Sequence, residues 1–212
     1  MNRALLILLI SVLAFGVGVS AQPSAKTAFF FGGGFTNQLS PDRFKDNWNT
    51  GINIGGGLEI KFNTFISLVP RVYYNTFSLD NEAFLKVLES EYGYSIEGLS
   101  LDGGSMNAID FGADAKLSIP KKMAGILTPY FIGGVGLTNI GFSDLTITSP
   151  DSTETRKIDQ SETDFALDFG FGLQAAILPT ISAFIEFRYV LIMADPKNFS
   201  YIPIHVGISL SK

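Results

Sequence analysis

The chain has 212 residues, of which 46% are hydrophobic and none is cysteine, and its formal net charge is −5. This acidic balance leaves no basic patch for phosphate groups and argues against a nucleic-acid partner. Without cysteine, the disulfides on which many small secreted domains depend are excluded as a source of stability.

The chain opens with the three parts of a secretory signal peptide. Arg3 supplies a positive charge, Ala4–Val19 is apolar, and the small residues "VSA" end at Ala21. We predict cleavage after Ala21, a signal peptide over residues 1–21 and one mature domain over residues 22–212. Loss of Arg3 leaves 14 basic and 20 acidic residues. No apolar run of helix-spanning length follows, so a membrane fold would have to use strands.

Hydrophobic residues in the mature domain recur with a period of two, which predicts β-strands. Eight segments show this pattern: Ala28–Asn37, Gly51–Phe62, Phe65–Phe77, Met106–Ile119, Leu127–Phe142, Glu162–Leu178, Ile181–Met193 and Phe199–Ser211. Long polar loops and short turns alternate between them, so all short turns fall at one end. An even number of strands joined in this way predicts an up-and-down barrel with both chain ends beside the short turns.

The two faces of the strands differ in size and polarity. In the second strand, Ile52, Ile54 and Leu58 share one face, while Asn53 and Glu59 share the other. The interior of an eight-stranded barrel has just enough room for side chains, so the bulky apolar face fits poorly inside. We therefore predict an all-β fold, an eight-stranded antiparallel up-and-down transmembrane β-barrel. The alternative is a soluble barrel with an apolar lumen.

Three local features refine this expectation. The second long loop contains "DNEAFLKVLESEYG", which predicts a short helix with Asp80 as its N-cap and Gly93 at its end. The third long loop, "SDLTITSPDSTETRKIDQSETD", is polar and either is mobile or extends strands above the membrane. Pro70 and Pro203 fall within strands, where we expect a bulge or a local break in pairing.

Aromatic residues near the strand ends suggest interfacial girdles, although aromatic residues are also common in strands generally. The candidate girdle residues are Phe29, Phe62, Phe65, Tyr74, Tyr130, Phe142, Tyr189 and Tyr201.

Charged residues on the small, inward face form the candidate site. They number five acids and four bases: Glu59, Lys61, Arg71, Asp110, Asp114, Lys116, Asp168, Glu186 and Arg188. The nearly equal numbers of acidic and basic residues predict ion pairs across the lumen, joined by charge-assisted hydrogen bonds. One interpretation is an ion-paired core that fills the barrel and fixes its register. The other is a gate whose pairs rearrange to pass ions.

Catalysis, metal binding and nucleotide binding have weaker support. His205 is the only histidine, and Ser209 on the same face lies roughly 13 Å away at strand rise, although Ser182 on another strand is a conceivable partner. We expect His205 to bond a neighbouring carboxylate instead. With one histidine and no cysteine, a metal site would depend on carboxylates. The clusters "FGGGF", "NIGGGL", "FIGGVG" and "FGFG" lack the spacing of phosphate-binding loops.

Several stretches resemble the bacterial outer-membrane β-barrel family of the OmpA/OmpX type. They are the signal peptide, "WNTGINIGGGLEIKF", "PYFIGGVGL" and the alternating final strand "YIPIHVGISLSK". The resemblance covers the mature chain and implies outer-membrane localisation, a narrow or closed lumen and insertion by the barrel assembly machinery. Many such barrels end on an aromatic residue, whereas this chain ends on Leu210-Ser211-Lys212.

We accordingly expect a monomeric, non-enzymatic protein without cofactors, in contact with outer-membrane lipid. Its role would be envelope integrity, adhesion or recognition of an extracellular partner through the loops. The alternatives are a narrow gated channel for ions or small solutes and an outer-membrane lipid-modifying enzyme, because this superfamily hosts many functions.

Overall fold

A computed structural model describes residues 26–93, 97–119, 126–158 and 161–211. The predicted signal peptide, its cleavage site and the second predicted short turn, residues 120–125, lie outside these ranges. The elements in chain order are β1 Lys26–Ser40, α1 Asp42–Asn47, β2 Gly51–Lys61, β3 Ile66–Phe77, α2 Asn81–Tyr92, β4 Ser100–Gly103, β5 Met106–Ser118, β6 Leu127–Phe142, β7 Leu145–Thr148, β8 Thr153–Arg156, β9 Ser161–Leu178, β10 Ile181–Met193 and β11 Phe199–Ser211.

Eight of the strands close into one antiparallel barrel in the order β1-β2-β3-β5-β6-β9-β10-β11, with β11 pairing back onto β1. Each barrel strand therefore pairs with the barrel strands before and after it, which confirms the up-and-down topology predicted from the period-two pattern. Closure leaves no unpaired barrel edge.

The register is staggered around the barrel. A path through paired residues leaves β1 at Lys26, crosses the other seven strands and returns to β1 ten residues further on, at Thr36. On this path Arg188 and Pro203 are aligned by the pairs on either side of them. A stagger of this size tilts the strands and links groups from distant strands at one level of a narrow lumen.

The outer wall is apolar, as the face assignment predicted. Phe29 is 66% exposed and Phe169 64% exposed, whereas Glu186 and Arg188 are 4% and 3% exposed. Along β10, every second residue from Phe184 to Ile192 is buried, and its neighbours are not. A surface of this kind is stable in lipid and costly in water. Among the described residues, no helix is both long and apolar enough to cross a membrane.

Both strand prolines interrupt pairing without shifting the register. The β2–β3 pairs run to Gly57 opposite Arg71 and resume in the same register at Ile60 opposite Leu68, which leaves Pro70 in the gap. The β10–β11 pairs skip Pro203 in the same way. The expected local break therefore occurs at both prolines, and the bulge does not, because each proline still faces a partner on its other side.

The long loops carry their own structure. Helix α2 confirms the loop helix: the Ala83 amide donates to the Asp80 carboxylate at 3.0 Å, and Gly93 ends the helix at φ 67°. A three-stranded sheet in the order β4-β7-β8 joins the second and third long loops. The β7–β8 hairpin fits the expected strand extension of the third loop. The pairing of β7 with β4 and the presence of α1 were not predicted.

The girdle interpretation was wrong for two of its residues. Phe29, Phe62, Phe65 and Tyr74 are exposed on the outer wall, whereas Tyr130 and Tyr201 are 3% and 0% exposed. Both tyrosines point inward, since they share strand parity with buried lumen residues. Their hydroxyl groups bind carboxylates there, as described below.

Candidate functional site

Glycines on the inner wall make room for the large groups at the centre of the lumen. A methyl group added to Gly112 would lie 3.0 Å from Arg71 Nη2, and one added to Gly134 would overlap the Asp114 carboxylate. Such close approach requires residues without a Cβ atom. Gly112 and Gly134 therefore shape the lumen.

The centre of the lumen holds two guanidinium groups interleaved with three carboxylates. Arg71 Nε donates to both Asp114 oxygens at 3.0 Å, and its Nη2 donates to Asp168. Arg188 Nη1 donates to Asp114 at 2.6 Å and to Asp168 at 2.7 Å, while its Nε donates to Glu186 at 2.5 Å. We call Arg71, Asp114, Asp168, Glu186 and Arg188 the central ionic layer.

The electrostatics of this layer require mutual neutralisation. Each of its five side chains is at most 7% exposed. An isolated buried charge costs several kcal/mol, and pairing offsets that cost only when the remaining hydrogen bonds are made. Two shared arginines satisfy three carboxylates here, so removal of any one charge affects the whole layer.

A second polar group lies towards the short turns. Lys116 Nζ donates to Glu59 at 3.0 Å and to Gln174 at 2.9 Å, and Ser67 donates to Glu59 at 2.9 Å. Lys61 stands 4.0 Å from Glu59 with 34% of its side chain exposed, so it lies at the rim of this turn-end layer. A small cavity of about 20 Å³ adjoins the layer.

Tyr130 links the turn-end layer to the central ionic layer. Its hydroxyl donates to Glu186 at 2.9 Å, and the Lys116 ammonium lies 4.3 Å from its ring centroid. A cation over an aromatic face is attracted by the ring quadrupole. The two layers are therefore parts of one connected network.

A third polar group, the loop-end layer, surrounds Asp110. The Asn75 amide and the Tyr201 hydroxyl each donate to Asp110 Oδ2 at 2.8 Å, and Thr138 donates to Oδ1. Thr36 donates to Asn75 at 3.1 Å. Asp110 thus differs from the other four candidate acids, because the described residues satisfy it with neutral donors and no ion pair within 4.0 Å.

An apolar cluster closes the lumen beyond the loop-end layer. The Phe44 side chain of α1 inserts into the barrel mouth, where its ring centroid lies 5.1 Å from that of Phe77 and 5.5 Å from that of Phe199. Trp48 packs beside it at 6.1 Å. We call Phe44, Trp48, Phe77 and Phe199 the aromatic plug.

His205 does not make the carboxylate hydrogen bond that the sequence led us to expect. Its Nδ1 is 3.8 Å from Glu186, and neither ring nitrogen has a hydrogen-bond partner among the described residues. Its ring instead stacks on Tyr73, with centroids 4.3 Å apart. Ser182 pairs with Ser209 across the β10–β11 ladder, and neither serine makes a hydrogen bond to a ring nitrogen of His205.

The lumen brings eight of the nine candidate residues into buried contacts and leaves Lys61 at the rim. It also adds uncharged partners that were not chosen from the sequence, chiefly Tyr130, Tyr201, Thr138 and Asn75. Their strand parity was the available signal, since Tyr201 alternates with Pro203 and His205 on the inward face. Within the described ranges, no group of three or more histidine, aspartate or glutamate side chains could hold a metal ion.

The sequence model of the outer membrane protein β-barrel domain matches residues 7–210. The chain belongs to this family. Family membership agrees with the closed eight-stranded barrel and its apolar outer wall, and it assigns the protein to the outer membrane. A comparison with curated proteins finds no significant match.

Solved structures that are similar to this chain are distant from it in sequence. Neisserial surface protein A is 12% identical, over 87% of this chain and 96% of that chain, with a TM-score of 0.55. Ail, the attachment invasion locus protein of Yersinia pestis, is 11% identical over 88% and 99%, with a TM-score of 0.47. The N-terminal barrel domain of Pseudomonas aeruginosa OprF is 12% identical over 88% and 100%, at 0.43. The likeness to Neisserial surface protein A supports the fold alone.

Proposed function

We propose that this chain is a structural and surface-interaction protein of the outer membrane, in which a closed barrel presents ordered loops to an extracellular partner. The observation that carries the proposal is the filling of the lumen. The turn-end layer, central ionic layer, loop-end layer and aromatic plug follow one another along the barrel axis. A lumen filled in this way serves stability and shape and leaves the loops as the interacting part.

The loops support this role because they contain helices and strands of their own. The β4-β7-β8 sheet is separate from the barrel sheet, and all four residues of β8 are exposed. Helix α2 lies next to this sheet in the second long loop. A rigid barrel that positions such elements offers a defined recognition surface at low entropic cost.

The remaining parts of the proposal follow from the sequence. The chain is exported through a signal peptide cleaved after Ala21, inserted by the barrel assembly machinery and embedded as a monomer among outer-membrane lipids. It is not an enzyme and needs no cofactor. The geometry around His205 supports this assignment, because a serine–histidine nucleophile would need a hydrogen bond to a His205 nitrogen, and among the described residues neither nitrogen has one.

A narrow gated channel is the second candidate, and one observation favours it. The cavity near the short turns reaches Arg188, whose Nη2 has no hydrogen-bond partner among the described residues. In a gate, Arg188 would exchange its carboxylate partners through this nitrogen. Conduction would still require a path through the other layers.

Planar-bilayer recording distinguishes the two functions. We expect the full-length protein to show no conductance above the lipid background, and Arg188→Ala to behave in the same way. Lys61→Ala at the rim is the matched control. Stable single-channel steps in the wild-type protein that change in Arg188→Ala and not in Lys61→Ala would refute the closed scaffold and establish the gate.

Labelling of intact cells tests the surface role. A cysteine at Thr155 in β8 should react with a membrane-impermeant thiol reagent, whereas a cysteine at Asn63 in the first short turn should react only after cell disruption. The chain has no native cysteine that could interfere. The reverse pattern would place the loops in the periplasm and remove the proposed function.

A further inference from the structure

Helix α1 packs into the barrel mouth through one buried aromatic side chain, Phe44. It has six residues, and no side chain caps its N-terminus. Isolated helices of this length are unstable in water, so contacts with the rest of the protein must maintain it. Phe44, 1% exposed, provides them by inserting among Phe77, Phe199 and Trp48.

The aromatic plug and the central ionic layer block the lumen by different means. The plug closes the mouth with apolar rings supplied partly by a loop. The central ionic layer closes the middle with charged groups supplied only by barrel strands β3, β5, β9 and β10. Between them lies the loop-end layer around Asp110, which Tyr201 connects to the plug through its ring, 5.8 Å from Phe77.

We propose that α1 is a retractable stopper, and that the lumen is sealed twice in series, first by the aromatic plug and then by the central ionic layer. Withdrawal of Phe44 would expose the upper lumen to solvent from the loop side without opening a pore. This inference goes beyond the proposed function, which requires a closed lumen and does not require a movable seal.

Three contacts couple the stopper to the second long loop. Trp48 Nε1 donates to the Gly104 carbonyl at 3.2 Å, and the Asp80 amide donates to the Asn47 carbonyl at 2.8 Å. On the surface, Arg43 of α1 pairs with Glu91 of α2 at 3.0 Å. A displacement of the second loop is therefore transmitted to α1, whereas the central ionic layer is held by the barrel wall.

Single-cysteine reporters separate the two seals, because the native chain contains no cysteine. Ala166→Cys places a thiol in the buried cluster that includes Phe44, at a position that is 3% exposed. Ser209→Cys places one beside the cavity near the short turns, on the other side of the central ionic layer. Each reporter is reconstituted in lipid vesicles, and an impermeant thiol reagent is added from the loop side.

In the native background, we expect both reporters to be unreactive from the loop side. In Phe44→Ala, Ala166→Cys should react at least about tenfold faster, since local opening now exposes it, while Ser209→Cys stays unreactive. Phe44→Ala should also remain non-conducting in bilayers. The matched control is Phe35→Ala, which removes a phenyl group that is 63% exposed on the outer wall and should change neither reporter.

Three results would overturn the stopper. They are continued protection of Ala166→Cys in folded Phe44→Ala, reaction of Ser209→Cys from the loop side, or conductance of Phe44→Ala. Heat-modifiable gel mobility verifies folding, and Phe44→Leu replaces the alanine variant if that one does not fold. Conductance of the wild-type protein would instead refute the proposed function, so the two failures are distinguishable.

Discussion

At the scale of single residues, burial determines which charges matter. Arg188 and Lys61 are both basic residues on the inward face, yet Arg188 bridges three carboxylates and Lys61 approaches one at the solvent-exposed rim. The sequence alone could not distinguish them, because strand parity gives the face of a residue and not its depth or its partners.

Replacing Arg188 should therefore be much more damaging than replacing Lys61. Arg188→Met leaves Asp114, Asp168 and Glu186 with one remaining guanidinium, and we expect a loss of about 3–5 kcal/mol in the free energy of unfolding. Lys61→Met should cost about 1 kcal/mol or less, because its interaction is screened by solvent. Denaturant unfolding in lipid vesicles measures both, and equal losses would show that the central ionic layer does not stabilise the barrel.

Two glycines of β6 give a matched test of lumen crowding. In Gly134→Ala the added methyl group would overlap the Ala113 carbonyl and lie 2.7 Å from the Asp114 Cα atom, so the barrel wall itself would have to move. In Gly141→Ala the methyl group meets nothing within 4 Å. We expect Gly134→Ala to lose the heat-modifiable folded form or refold poorly, and Gly141→Ala to fold like the wild type. Normal folding of Gly134→Ala would contradict the proposed packing.

At the scale of elements, sequence prediction succeeded where the pattern was local. The eight barrel strands followed from alternation over 10 to 17 residues, and α2 followed from Asp80, Gly93 and helical spacing. The same logic could not reveal α1, because this helix depends on packing between Phe44 and aromatic rings from β3 and β11, which are distant in sequence. The β4–β7 pairing was equally inaccessible, since it joins two loops separated by two barrel strands.

The N-cap of α2 provides a local test. Asp80→Ala removes the carboxylate that accepts from the Ala83 amide, which should destabilise α2 by about 1 kcal/mol. Amide hydrogen exchange should become faster in α2 and stay unchanged in the barrel strands. Ser90→Ala, an exposed substitution in the same helix, should not accelerate exchange. Faster exchange throughout the barrel in Asp80→Ala would show that α2 is part of the cooperative barrel unit.

At the scale of the whole molecule, the alternation of apolar and polar side chains along the strands gives the barrel two different surfaces. The outer wall is apolar enough for lipid, and the lumen neutralises its own charges. The choice between lipid and water on the outer wall could be made from the sequence, since an eight-stranded lumen cannot hold so many Phe, Ile and Leu side chains. The residues that fill the lumen could not be predicted from the sequence, because Tyr130 and Tyr201 could equally have faced the membrane interface.

Spin labels on single cysteines test the central claim most directly. Labels at Ile185 and Phe187 on the outer face of β10 should be accessible to oxygen, which concentrates in lipid, and protected from a water-soluble nickel chelate. Labels at the inward positions Ser182 and Ser209 should be less accessible to oxygen than those two. Greater accessibility of the Ile185 and Phe187 labels to the nickel chelate than to oxygen would contradict the membrane-embedded barrel with a closed polar lumen.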